Sequence, residues 1–396
     1  MKKSLLSFLV LTLFAFAATT SFGQKTPEVA FGKGINYMAK DTSFSVKFHF
    51  RMQHLLVVDY DAGKEDFSTN FLVRRSRLKF DGFAFSPKIK YKVELGLTNR
   101  DIAINNEDGN TRDAARIILD AVLKWQFSKH WALWIGQTKL PGNRERVVSS
   151  ANLQFVDRSL VNGKYNIDRD AGLHLRGKYK AGKMIFAPSL VISQGEGRNI
   201  TSGANGGLCY TGHLDFLPFG SFAKKGDYVS ADLAREQTPK LSIGLTYDYN
   251  DGAVRQGGQL GRFVKDSLGN YVQNSLSTVF VDLMFKYKGF SILSEYANKV
   301  AGEEIRDVSS GYLTGTGLTA QAGYLFDNNW ELAFRYTTVR KDIDLSGVSD
   351  EDQYTLGLSK YVVGHSLKFQ TDATMRTFPD SDTGKFMFRM QVEMQF

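Results

Sequence analysis

Lys385-Phe386-Met387-Phe388-Arg389-Met390-Gln391-Val392-Glu393-Met394-Gln395-Phe396 is the stretch whose reading decides the fold. Taken alternately, Phe386, Phe388, Met390, Val392, Met394 and Phe396 make one apolar face. Lys385, Met387, Arg389, Gln391, Glu393 and Gln395 make a wetter one. Successive side chains of a strand point to opposite faces, so this is a strand with one greasy side and one polar side. An amphipathic edge strand of a soluble sandwich alternates in the same way. The unbroken length favours a tilted strand crossing a bilayer, which needs roughly 9–11 residues.

The same period recurs along the chain. It predicts strands near 44–59, 70–85, 88–99, 114–128, 130–140, 170–180, 183–194, 207–217, 239–250, 276–288, 290–299, 313–326, 330–341, 351–361, 366–376 and 385–396. In lipid every backbone polar group must be paired, so spanning strands must close on themselves, and bacterial single-chain barrels use an even number. The expectation is an all-β protein, a transmembrane antiparallel β-barrel of about 16 strands. A hydrophobic content of 42% and a mean hydropathy of −0.26 are too polar for a helical membrane protein. Aromatic residues at 13% suit girdled strands. Residues 1–23 read as a signal peptide, with Lys2 and Lys3 before an apolar run and Ser21-Phe22-Gly23 at the cleavage end. The barrel then occupies 24–396, exported to the outer membrane of a Gram-negative cell.

The connections sort by length. Short turns fall at 86–88, 128–130, 181–182, 289, 327–329 and 363–364. Longer polar loops fall at 60–69, 99–113, 140–169, 195–206, 251–275, 300–312, 342–350 and 377–384. With the N-terminus in the periplasm, every short turn is periplasmic and every longer loop external, and a soluble sandwich has no reason for such sorting. The stretch 218–239 is the exception, long yet periplasmic, and the sequence offers no account of it. The third external loop, 140–169, has no sustained alternation, and an unstructured stretch of that length calls for a function. Folded inward it would set a constriction; the alternative is an exposed loop.

The formal charge is +9. Such a surplus can serve nucleic acid or a membrane surface; in an exported barrel it points to a lumen that favours small anions, not to nucleic acid. Parity aims Lys47 and Arg51 inward on the first strand, Arg75, Arg77 and Lys79 on the second, Lys90 and Lys92 on the third, and Arg176 on the sixth. Lys139, Arg144, Arg146, Arg158 and Arg169 lie in or beside the long loop. Aligned cations in a narrow low-dielectric pore concentrate anions, rings of Arg and Lys select anions and phosphate, and guanidinium matches phosphate oxygens in pairs. Asp81, Glu94 and Asp120 would neutralise some of them. Trp125, Trp131, Trp134 and Trp330 sit at strand ends, where an interfacial girdle belongs. Cys209, the single cysteine, takes the inward parity as a small filler. Hydrolase, zinc and phosphate-loop motifs are missing, which predicts a protein that is not an enzyme and uses no metal or cofactor. A passive diffusion channel favouring anions is the leading reading. A general, weakly selective pore and a structural or adhesive barrel with a closed lumen are the alternatives.

Gly136-Gln137-Thr138-Lys139-Leu140-Pro141, Phe155-Val156-Asp157-Arg158-Ser159-Leu160 and Arg169-Asp170-Ala171-Gly172 resemble the phosphate-selective porin O and P family. So do Leu72-Val73-Arg74-Arg75-Ser76-Arg77-Leu78 and Lys360-Tyr361-Val362-Val363-Gly364-His365. The resemblance implies a trimeric sixteen-stranded barrel in outer-membrane lipid, an inward third loop, and a basic lumen passing phosphate or similar anions. The last strand, ending at Phe396, is similar to those read by the barrel assembly machinery.

Overall fold

Backbone amides find no partner in hydrocarbon, and this chain answers by pairing its strands all the way round. The computed structural model describes residues 31–98, 101, 116–200, 206–302, 311–342 and 349–396. The expected signal peptide and most of the expected loop 99–113 lie outside them. In chain order the strands are β1 Ile35–Met38, β2 Phe44–Asp61, β3 Asp66–Ala84, β4 Ser86–Gly96, β5 Ile118–Trp125, β6 Trp131–Lys139, β7 Arg169–Gly177, β8 Tyr179–Ala181 and β9 Met184–Ser193. They continue as β10 Cys209–Leu217, β11 Lys240–Ala253, β12 Asn274–Tyr287, β13 Phe290–Ala301, β14 Gly315–Leu325, β15 Trp330–Lys341, β16 Glu351–Tyr361, β17 Leu367–Phe378 and β18 Ser381–Gln395. β7 and β8 both pair with β9 and act as one stave, so β2 to β18 supply sixteen. Neighbours are antiparallel, and β18 pairs with β2 from Lys385↔Asp61 to Gln395↔Arg51, which closes the barrel.

Its faces are reversed relative to a water-soluble protein. Leu332, Phe334 and Leu356 stand 47–54% exposed on the outside. Thr337, Thr355, Gln370 and Glu393 on the inner face are buried and polar. Strand periodicity produces this arrangement directly, since one parity meets lipid and the other the interior. Among the described residues no helix is long and apolar enough to cross a membrane.

Several boundaries differ from expectation. The loops expected at 60–69 and 377–384 shrink to 62–65 and 379–380, because the polar strand ends keep pairing above the lipid zone. There Lys385 meets Asp61 at 2.8 Å, and the rings of Tyr60 and Phe67 pack tilted with centroids 4.5 Å apart. The turn expected at 86–88 is Phe85 alone, in the left-handed region at φ 64°, with Ser86 already in β4. β1 is an addition. It pairs with the start of β2, Ile35↔Phe48 to Met38↔Ser45, in the lane that β18 leaves at Phe396. Phe50 and Phe396 exchange both backbone hydrogen bonds, at 2.9 and 3.0 Å.

Three segments fold into the barrel. The third external loop, 140–168, carries α1 Arg144–Val147, a 3-10 turn Ser150–Asn152 and α2 Leu160–Tyr165. Ser149 and Ser159 cap the turn and α2 by accepting from Ala151 N and Asn162 N. Wall glycines make room: a Cβ on Gly323 would stand 2.0 Å from Gln154 Nε2, and one on Gly357 2.9 Å from the Phe155 ring. Val161, Tyr165 and Ile167 of this loop pack on Phe280 and Val339 of the wall. Residues 254–273 enter from the same side, and Lys299 Nζ donates to both segments, at Asn166 O and Gly257 O. The periplasmic exception, 218–239, also turns inward. Its Phe222 packs with Val148 and Leu153 of the loop, and Ser230 N donates to Asn152 O at 2.9 Å. Its length is explained by that reach.

Candidate functional site: an arginine-lined narrowing

The narrowing begins with an irregularity in β3. Gln53 lies opposite Arg75 and His54 opposite Val73, so Arg74 is an extra residue in the ladder. A bulge of this kind turns two successive side chains to one face. Arg74 and Arg75 therefore both point inward and both meet the carboxylate of Asp157 in the loop, Arg75 at 3.1 Å. Burial alone would raise the Asp157 carboxyl. The guanidinium groups of Arg75 and Arg74 outweigh it and hold the group well below the usual carboxylate range.

From there a chain of ion pairs runs round the wall under the loop. Arg77 reaches Glu94 at 3.1 Å, and Lys92 bridges Glu94 and Asp120 at 2.8 Å each. Arg169 contacts Asp120 at 3.2 Å and Asp168 at 3.7 Å, and Asp168 also pairs with Arg146. Two cations have other partners. Lys139 Nζ donates to three loop carbonyls, Arg146 O, Val147 O and Val148 O, at 2.7–3.4 Å. Arg158 donates to Glu145 O and Val148 O at 2.7 and 2.8 Å. Burial, then the charges of Arg146 and Arg75, push its pKa well below the ordinary arginine value.

These groups line a cavity of about 420 Å3. Its described walls carry eight cations, Arg74, Arg75, Arg77, Lys139, Arg146, Arg158, Arg169 and Arg198, against three carboxylates, Asp101, Asp157 and Asp168. Local pairing leaves a cationic excess, and such a surplus in a confined space attracts anions.

Of the thirteen expected pathway residues, the cavity brings together Arg75, Arg77, Lys139, Arg146, Arg158 and Arg169. Arg51 lies behind it, on Glu393 at 2.6 Å and Ser150 Oγ at 2.9 Å. Lys92 belongs to the ion-pair chain. Lys79 pairs with Asp81 at 2.8 Å, Lys47 lies opposite Asp81 in register, and Lys90 is exposed, all toward the periplasmic end. Arg144 is placed elsewhere. It crosses to the far wall, where Asp282 (2.8 Å), Asp215 and Ser242 receive it, and burial is outweighed by Asp282 and Asp215, which raise its pKa. Arg176 stacks 4.1 Å from the Trp134 ring, whose other cationic neighbour is Lys124 at 3.8 Å. Trp134 thus shares the inner face with buried His174 and is not part of an outer girdle, correcting that expectation. Cys209 is buried inward as expected, 3.2 Å from Asp248 Oδ1.

Strict alternation missed Arg74, which parity assigns to the lipid side, and Arg198, which lies in an irregular loop. It also missed the lysine mouth on the periplasmic side. Lys178, Lys180, Lys183 and Lys240 line a second cavity, of about 750 Å3, whose described lining holds no carboxylate. The side-by-side arginines at 74 and 75 were the available signal for the bulge.

A family model described as phosphate-selective porin O and P matches residues 46–394. An uncharacterized protein of Aquifex aeolicus (strain VF5) is 25% identical over 354 residues, covering 83% of this chain and 80% of that protein. Among solved structures, the anion-selective porin from Comamonas acidovorans superposes with a TM-score of 0.56 at 10% identity, over 89% of this chain and all of that one. The outer membrane channel DcaP of Acinetobacter baumannii gives 0.54 at 13% identity, over 91% and 99%. The trimer form of OmpT of Vibrio cholerae gives 0.54 at 11%, over 89% and 100%. At these identities the solved structures speak for the fold.

Proposed function

We propose, from the premise that this chain belongs to the phosphate-selective porin O and P family, that it is an outer-membrane passive channel for small anions of the phosphate class. The barrel spans, the loop narrows it, and the charged wall chooses. The observation that carries the reading is the cavity under loop 140–168, with eight cations against three carboxylates. Phosphate supplies oxygens that guanidinium can grip in pairs. Arg74 and Arg75 already offer that grip to the Asp157 carboxylate, so an entering oxyanion competes with a group of like shape and charge. Transport needs such binding to be weak and multiple, so that exit stays easy. The lysines at the periplasmic mouth continue the same sign of charge. Family membership supports a channel over an enzyme, and we infer a homotrimer delivered by an export signal and the barrel assembly machinery.

One observation favours the weaker reading, a general pore with slight anion preference. Arg51, Arg144 and Arg169 are each matched to buried carboxylates and lend little net field. Planar-bilayer recording separates the two. In a salt gradient the reversal potential is expected to favour chloride over potassium, and millimolar phosphate is expected to block chloride current. Arg74→Ala/Arg75→Ala should weaken both effects. A wild-type channel that prefers potassium would refute anion selectivity, and a chloride current indifferent to phosphate would leave the general pore.

A further inference from the structure

The inward turn of segment 218–239 is held by one buried lysine. Lys286 lies on the inner face of β12, opposite Lys240, and is 1% exposed. Its Nζ donates to Gly226 O, Val229 O and Ala231 O at 2.9, 2.7 and 2.7 Å. An ammonium has three protons to donate, and all three are placed on the segment's main chain. Burying that charge is tolerable only because three carbonyls replace its hydration shell. Further anchors surround it. Asp232 accepts from Gly289 N at 2.8 Å and from Glu236 N at 3.0 Å, and Asn152 Nδ2 of the loop donates to Tyr228 O at 3.1 Å. Within the segment Lys224 and Lys225 stand at φ 50° and 57°, two successive left-handed positions without glycine. Strain of this kind persists where surrounding contacts over-determine the backbone.

The two ends of the segment have a second role. Pro218, Phe219, Thr238 and Pro239 form one side of the lysine mouth, and Lys240 Nζ donates to Phe219 O at 3.0 Å. Releasing the segment would therefore open the periplasmic half of the lumen and dismantle the mouth together. The same device recurs where Lys368 holds Ala151 O and Leu153 O of the third loop, at 2.9 and 3.3 Å.

We propose that segment 218–239 is a second, periplasmic selectivity element of the channel, and that Lys286 is the positioning residue that latches it in place. This deepens the channel reading and rests on it. Such a latch separates two uses of basic residues: Arg74 and Arg75 line the cavity that a solute enters, while Lys286 faces the protein's own carbonyls and shapes the exit.

The test combines recording with labelling. Ala231 is fully buried, so Ala231→Cys, in a Cys209→Ser background, should resist a water-soluble maleimide in the native protein and react once Lys286→Met is added. In bilayers, Lys286→Met should raise the single-channel conductance by about twofold or more, since it releases one of the three segments that fill the aqueous interior of a sixteen-stranded barrel. Its reversal potential should move toward zero. Asp232→Ala, which removes the acceptor of Gly289 N and Glu236 N, should act in the same direction and substitutes if Lys286→Met does not assemble. Rapid labelling of Ala231→Cys in the native background would overturn the latch. Exposure of that cysteine with native conductance and reversal potential would overturn the selectivity role. A native channel without anion preference would instead overturn the proposed function, and the labelling result would still decide the latch.

Discussion

Replacing Asp157 with asparagine removes the carboxylate that Arg74 and Arg75 share, at nearly constant shape. The cavity then holds eight cations against two carboxylates in place of three. At an effective dielectric near 20 a unit charge is worth about 4 kcal/mol at 4 Å, and about half of that at twice the distance. Salt near 0.1 M screens beyond about 10 Å. Asp157 is itself one-fifth exposed to the lumen, which discounts the figure again. A net effect of about 1–2 kcal/mol on a bound anion remains, a factor of roughly 5–30. The phosphate concentration that halves chloride current should fall by that factor in Asp157→Asn. A cost opposes it. Charge-assisted bonds of this kind contribute about 1.5–3 kcal/mol each, so the loop docks less firmly. Asp157→Glu keeps the charge and serves as control, and the temperature of heat-modified gel migration reports docking. If the half-blocking concentration stays at the native value or rises while that temperature is unchanged, Asp157 does not set the field at the narrowing and the argument from the bulge is wrong.

Arg144→Ala should behave oppositely, leaving the reversal potential nearly native while lowering the unfolding temperature on gels. Breaking a buried ion pair costs about 3–5 kcal/mol, and Arg144 faces Asp282 and Asp215, away from the cavity. Gly323→Val should displace Gln154, since even a Cβ would come within 2.0 Å of it, and single-channel recording should show a wider pore. Burial would raise the Asp157 and Asp168 carboxyls, but arginines hold both below the ordinary value near 3.9. Their contribution to loop docking is therefore complete above about pH 4 and is lost as pH falls through the lower folded values. The share of gel stability that Asp157→Asn and Asp168→Asn remove should be flat between pH 8 and pH 5 and disappear only in stronger acid.

The barrel was legible because its signal is local: period two runs along the strands, interrupted only at bulges such as the one in β3, and needs no knowledge of partners. The site was legible only in part, for three physical reasons. Arg74 turns inward through a one-residue slip in the β2–β3 ladder, which leaves composition and spacing untouched. The partners of Arg144 are Asp215 and Asp282, far along the chain, and only closure brings them near. Segment 218–239 has no periodicity at all, and the carbonyls that Lys286 grips belong to the backbone, where sequence carries no mark. Trp134 misled because strand ends favour interfacial tryptophan, while its parity with His174 placed it inside.

The lane shared by β1 and β18 makes the molecule close to a ring. Ile35 takes up opposite Phe48 where Phe396 leaves off opposite Phe50, both running in the same direction. The seam is thus a head-to-tail junction within one strand, and a peptide link across it would continue a strand already laid down. A link from Phe396 to Ile35 that takes the place of the residues before Ile35 is the kind of closure circular permutation uses. A chain reopened in the short hairpin at 62–65 would keep every stave in its lane and its neighbours unchanged. The order of the staves round the barrel is then a property of the circle, and where the chain starts is a separate matter.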